Sequence, residues 1–156
     1  AGYIIALESL GWTVVAISMS GVSVRVEARL IRLGSVLVSI SMVGLIYAMP
    51  SGPIWLIALL SSIMGIGFGM SWSFVSKRII ANVSEAERAQ ASASIPTFMR
   101  VSMALGSALS GIIANFSGFS EDSSVEVAQN VAFWCFAAFV PLIVVGLFTA
   151  WRVSRE

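Results

Sequence analysis

Apolar stretches about as long as a bilayer is thick recur five times along this sequence, and that recurrence constrains the fold more than any other feature. A hydrocarbon core about 30 Å across is spanned by roughly 20 residues of helix. The stretches run over about 3–22, 31–49, 54–75, 92–116 and 131–151. Of the 156 residues 58% are hydrophobic and 11% charged, and the mean hydropathy is +0.94. A water-soluble fold of this composition would carry large sticky patches that monomers avoid, so membrane lipid is the expected surrounding. The fold class read from this pattern is an all-α membrane protein of five transmembrane helices in one domain over 1–156.

The punctuation between the stretches agrees. Pro50-Ser51-Gly52-Pro53 is a turn sequence that ends the second span, and the polar run from Ser117 through Glu121 and Asp122 to Ser124 follows the fourth. Ser84 and Glu87 have the spacing of a capping box, so the fourth helix is expected to start on the membrane surface. The chain opens Ala1-Gly2-Tyr3 without an initiating Met or a basic leader. It therefore reads as a chain cut at a helix start rather than as a signal peptide.

Basic residues sort by connection. Arg25, Arg29 and Arg32 follow the first span, Lys77, Arg78 and Arg88 the third, and Arg152 and Arg155 the fifth, while the other two connections carry none. Lys and Arg near span ends stay on the cytoplasmic side, so the first, third and fifth spans are expected to end there, with a cytoplasmic C-terminus and Ala1 outside.

Several function classes fall away. A net charge of +1 without a basic stripe gives no footprint for nucleic acid. With Cys135 as the one cysteine and no histidine, cysteine–histidine metal sites, disulfides and histidine acid–base chemistry are excluded. No nucleophile–base pair or acid-rich metal motif stands out, so neither an enzyme nor a cofactor is expected.

The residues that could carry function are few. Glu8 is an acid within the first span, about 20 Å from its cytoplasmic end at 1.5 Å per residue. An ionisable group at that depth is unfavourable by several kcal/mol, order of magnitude, unless it faces a cavity, finds a partner or binds a proton. That makes Glu8 the candidate for proton coupling or substrate contact; the alternative is a tilted helix that leaves it at the wet interface. Arg100, at the inner end of the fourth span, either pairs with an acid or anion or snorkels to the headgroups. Tyr3, Trp12 and Trp72 could line a path for flat hydrophobic or cationic compounds by stacking and cation–π contact. A membrane-belt or packing role is the competing reading.

Gly65, Gly67 and Gly69 fall in the middle of the third span, and 65/69 is the small-xxx-small spacing that lets two helices touch backbone to backbone. The fourth span repeats the theme with Ser102, Gly106, Ser110 and Ala114, with Gly111 nearby. Pro96 removes one backbone donor, so the third and fourth helices are the ones expected to flex.

In order and spacing these features resemble the last five helices of the major facilitator superfamily, in its drug:proton antiporter-like bacterial members. Leu10-Gly11-Trp12-Thr13 through Gly21, then Arg25, Arg29 and Arg32-Leu33-Gly34, is similar to the eighth helix and the loop that follows it. That loop in the family carries Gly-x-x-x-Asp-Arg-x-Gly-Arg; here Gly21 and later arginines match, and the aspartate and second glycine are absent. The segment from Gly65 to Ser73 resembles the tenth helix, Ser84 to Ala93 with Arg100 to Gly111 the eleventh with its preceding loop, and Phe133 to Arg152 the twelfth. The resemblance implies part of the C-terminal six-helix bundle of a secondary transporter in a bacterial inner membrane. It further implies alternating access and proton-coupled efflux of small amphipathic compounds, completed by a preceding helix and an N-terminal half. Uptake of a sugar or organic acid, and a non-transporting scaffold subunit, are the alternatives, because a fold alone does not fix a substrate.

Overall fold

The structure, a computed structural model, describes residues 2–19, 21–119 and 124–155. Among these every regular element is helical: α1 (Gly2–Ser18), α2 (Val24–Ser51), α3 (Ile54–Ala81), α4 (Arg88–Phe116), α5 (Val125–Ala137) and α6 (Val140–Val153). A short 3-10 turn, Glu85–Glu87, leads into α4. The acids Glu121 and Asp122 of the expected polar loop lie outside the described residues, as does Ala1.

Among the described residues four helical stretches are long and apolar enough to cross a membrane: Val24–Ser51, Ile54–Ala81, Glu85–Phe116 and Val125–Val153. The first of the five expected spans is shorter, a 17-residue apolar helix, because α1 stops at Ser18 rather than running to 22. At 1.5 Å per residue it is about 25 Å long, short of a full hydrocarbon core. The second helix instead begins about two turns earlier than its apolar run, at Val24, taking the basic stretch into its first turns. The last stretch is broken at Ala138 and Phe139 into α5 and α6. Pro141, the second residue of α6, supplies the reason: it has no amide to donate to residue 137, and its ring crowds that carbonyl.

Local signals account for the other ends. Pro50 sits in the final turn of α2, the Gly52 amide closes that helix on the Ala48 carbonyl at 2.7 Å, and Pro53 is the residue from which α3 starts. At the start of the fourth span the Ser84 amide and hydroxyl both donate to the Glu87 carboxylate, at 3.3 and 2.6 Å. Pro96 lies inside α4, which continues unbroken through it.

α3 is the centre of the bundle, with α1 on one side and α2 on the other, and α2 in turn carries α5 and α6. Helices enclosed on two sides bury residues, and α2 and α3 do so; α1, α4, α5 and α6 have none that are fully buried. Leu30 and Ile31 of α2 meet Met70 and Phe74 of α3 in the buried cluster. The directions follow from paired positions. Gly65 and Gly69 lie against Glu8 and Trp12, so α1 and α3 run parallel; Gly34 meets Gly67 and Gly44 meets Leu60, so α2 is antiparallel to both.

Candidate functional site

Close helix approach builds the site. A Cβ placed on Gly65 would stand 2.1 Å from the Glu8 carbonyl oxygen, and one on Gly69 would stand 2.6 Å from that of Trp12. The two glycines, one turn apart, let the α1 backbone lie directly on α3. Gly67 faces the other neighbour, its missing Cβ leaving room for the Gly34 carbonyl at 2.7 Å. Gly34 on α2 is the reciprocal partner of Gly67, and Gly11 on α1 lies against Ser62 and Ile66 of α3; the sequence reading assigned neither a packing role. Gly106 and Gly111 on α4 have nothing within 4 Å of an added Cβ among the described residues.

Glu8 thus has its backbone pinned to α3 while its side chain is half-buried and makes no ion pair or hydrogen bond among the described residues. Trp12, one turn on, stacks on Phe68 of α3 with ring centroids 5.6 Å apart and planes 17° from parallel. Phe68 also lines an apolar cavity of about 550 Å³ between α2, α3 and α6, together with Trp72, Met42 and Ile143. That volume is in the range that holds a small organic ligand. Its hydroxyl donors are already engaged: the Ser39 hydroxyl donates to the Ser35 carbonyl at 2.7 Å, that of Ser71 to the Gly67 carbonyl at 2.9 Å and that of Thr149 to the Val145 carbonyl at 2.9 Å, which leaves the indole N–H of Trp72 as a donor not engaged among the described residues. No charged side chain lines it. The cavity can therefore select by shape and apolar contact, with the Phe68 and Trp72 rings in its lining and Phe68 backed on one face by Trp12.

The structure gathers some of the expected site residues and separates others. Trp72 lines the cavity, and Trp12 reaches it only through Phe68. Tyr3 is 90% exposed near the far end of α1 and belongs to no shared path with them. Arg100 is exposed on α4 and makes no ion pair among the described residues. Among the described residues no group of three or more His, Cys, Asp or Glu could hold a metal ion.

The sequence reading also passed over Glu27. It is 3% exposed and pairs with Lys77 at the end of α3. The signal was present: Glu27, Leu30, Ile31 and Gly34 follow the i, i+3, i+4, i+7 pattern of a helix face, and all four are buried. Beside this pair, Arg32 donates to the Ser154 hydroxyl at 2.6 Å and to its carbonyl at 3.2 Å, and Arg78 donates to the Val153 carbonyl. Carbonyls left open at the end of a helix are thereby capped by cations, which the helix dipole also favours. These contacts bring the basic segments after α1, α3 and α6 to one end of the bundle.

No protein-family model matches the chain, and no solved structure gives a significant match. Two curated proteins do match, from Mycobacterium tuberculosis strains CDC 1551 / Oshkosh and ATCC 25618 / H37Rv, each named "Probable multidrug-efflux transporter". Each is 25% identical over 164 aligned positions, which cover 100% of this chain and 33% of the relative. The chain spans about a third of the length of the curated relatives it matches. With its apolar helices, this similarity makes the chain an integral membrane protein related to part of a transporter.

Proposed function

We propose that this chain forms part of the C-terminal helix bundle of a major facilitator-type transporter that exports small amphipathic compounds in exchange for protons. The observation that carries the reading is the similarity, along the whole chain, to proteins named as multidrug-efflux transporters. The apolar cavity beside Phe68 and Trp72 supports a hydrophobic substrate, because its lining is aromatic and aliphatic, carries no charge, and has its hydroxyl donors bonded to backbone carbonyls. Glu8 is the proton-coupling residue of the proposal, held at fixed depth by the contact of its backbone with Gly65. Arg100 and the small face of α4 at Gly106 and Gly111 then turn toward the preceding helix and the N-terminal half. The membrane is the bacterial inner membrane, with the end bearing Arg32, Arg78 and Arg152 in the cytoplasm. The proposal includes no catalytic chemistry and no cofactor.

The test is export of a fluorescent hydrophobic cation from energised cells that express the full polypeptide or its Glu8→Gln variant, matched for membrane level. The variant should lose proton-dependent export, because an amide cannot take up and release the exchanged proton. Unchanged export by the variant removes Glu8 from the mechanism; no export by either protein, and accumulation of labelled sugars or organic acids instead, overturns efflux.

A further inference from the structure

A second groove lies on the outer surface of the bundle between α2 and α6, at the end where Arg32, Arg78 and the C-terminal turn meet. It encloses about 480 Å³ and is lined by Val36, Leu147, Phe148, Trp151, Arg152 and Arg155. Along the end of the chain its lining changes from Leu147 through Phe148 and Trp151 to Arg152 and Arg155, over about 12 Å at 1.5 Å per residue, and Val36 of α2 completes it. We infer that this groove binds one anionic phospholipid, its phosphate held by Arg152 and Arg155 and the first part of an acyl chain laid along Leu147, Phe148 and Val36.

An anion at a helix C-terminus would ordinarily meet the negative end of the dipole. Here that end is already covered: Arg32 and Arg78 take up the Ser154 and Val153 carbonyls. The side chains of Arg152 and Arg155 are not committed to any acceptor among the described residues. Arg152 lies over Phe148, its guanidinium carbon 5.4 Å from the ring centroid, a cation–π contact that uses none of its N–H donors and leaves them for a phosphate. Arg32 lies 5.6 Å from the Trp151 ring centroid, which fixes that wall of the groove. Charge complementarity selects a phosphate, and the apolar wall selects a lipid over a free anion. The inference needs only that the bundle stands in a bilayer, and it is independent of what the protein transports.

The full polypeptide, purified in detergent, is titrated with phosphatidylglycerol or phosphatidylcholine of matched chain length, and bound lipid is counted by native mass spectrometry. Each arginine near an anionic headgroup favours binding about fivefold, so the wild type should prefer phosphatidylglycerol by on the order of thirtyfold. Arg152→Gln with Arg155→Gln should abolish the preference, Arg152→Lys with Arg155→Lys should keep most of it, and Arg100→Gln should leave it intact. Phe148→Ala should weaken both lipids alike. The inference is overturned by equal binding of the two lipids to the wild type, by a preference that survives the double glutamine variant, or by an equal loss in Arg100→Gln. Displacement of the lipid by millimolar inorganic phosphate would make the groove a free-anion site and overturn it as well.

Discussion

Replacing Gly65 by alanine puts a methyl group where the Glu8 carbonyl oxygen of α1 now lies. The added carbon would be 2.1 Å from that oxygen, whereas carbon–oxygen contacts settle near 3.3 Å, so α1 has to retreat by about 1.2 Å. The obstruction is backbone, which cannot rotate away as a side chain tip would. Because α3 is the principal neighbour of α1, the retreat loosens the whole α1 interface, including the Trp12–Phe68 stack. Overpacking of this kind destabilises by about 1–3 kcal/mol, against a gain of up to about 1 kcal/mol from the better helix propensity of alanine. Gly65→Ala should therefore lower stability by roughly 1–2 kcal/mol net. Gly106→Ala, where an added Cβ meets nothing within 4 Å, should be neutral or slightly stabilising. Helix content followed by circular dichroism during a denaturing-detergent titration of the full polypeptide measures both. If Gly65→Ala matched or exceeded the wild type while Gly106→Ala did not differ from it, direct backbone contact would not be what joins α1 to α3.

Three further substitutions test the basic end. Lys77→Met strands the carboxylate of Glu27, which is 4% exposed in its side chain, and should destabilise by about 3–5 kcal/mol. Glu27→Gln leaves Lys77, 60% exposed, free to turn to water and should be milder by at least about 2 kcal/mol; equal effects in the same titration would mean that Glu27 is not buried by α3. Arg78→Met removes the donor to the Val153 carbonyl. A hydrogen bond from a charged group contributes about 1.5–3 kcal/mol, so amide exchange in the last turn of α6 should quicken tenfold or more, and an unchanged rate would show that this turn is held elsewhere.

Helicity and membrane-spanning character were legible in the sequence because both depend on local quantities: the length of an apolar run, and the turn and capping residues that end it. Where the element bounds depart from the apolar runs, tertiary contact accounts for α2, whose first turns bury Glu27, Leu30 and Ile31 while Arg25 and Arg29 stay exposed. The break near Pro141 was readable in principle, since proline removes a donor wherever it stands in a helix. The site was harder to read. The 65/69 glycine spacing is visible in the sequence, but that it is α1 which lies there, at Glu8 and Trp12, is not. Tyr3, Trp12 and Trp72 share a chemistry without sharing a place.

The sequence by itself determined which segments are helices fit for lipid and which connections carry the positive charge, because hydrophobic transfer and positive-charge bias are summed residue by residue along the chain. Only the tertiary structure decided which face of each helix meets which neighbour. It alone set Gly65 under Glu8, enclosed the cavity around Phe68 and Trp72, and gathered Arg32, Arg78 and the end of α6 at one place. Those outcomes depend on the rotation and register of one rod against another, and van der Waals contact at the backbone settles that register at the level of an ångström.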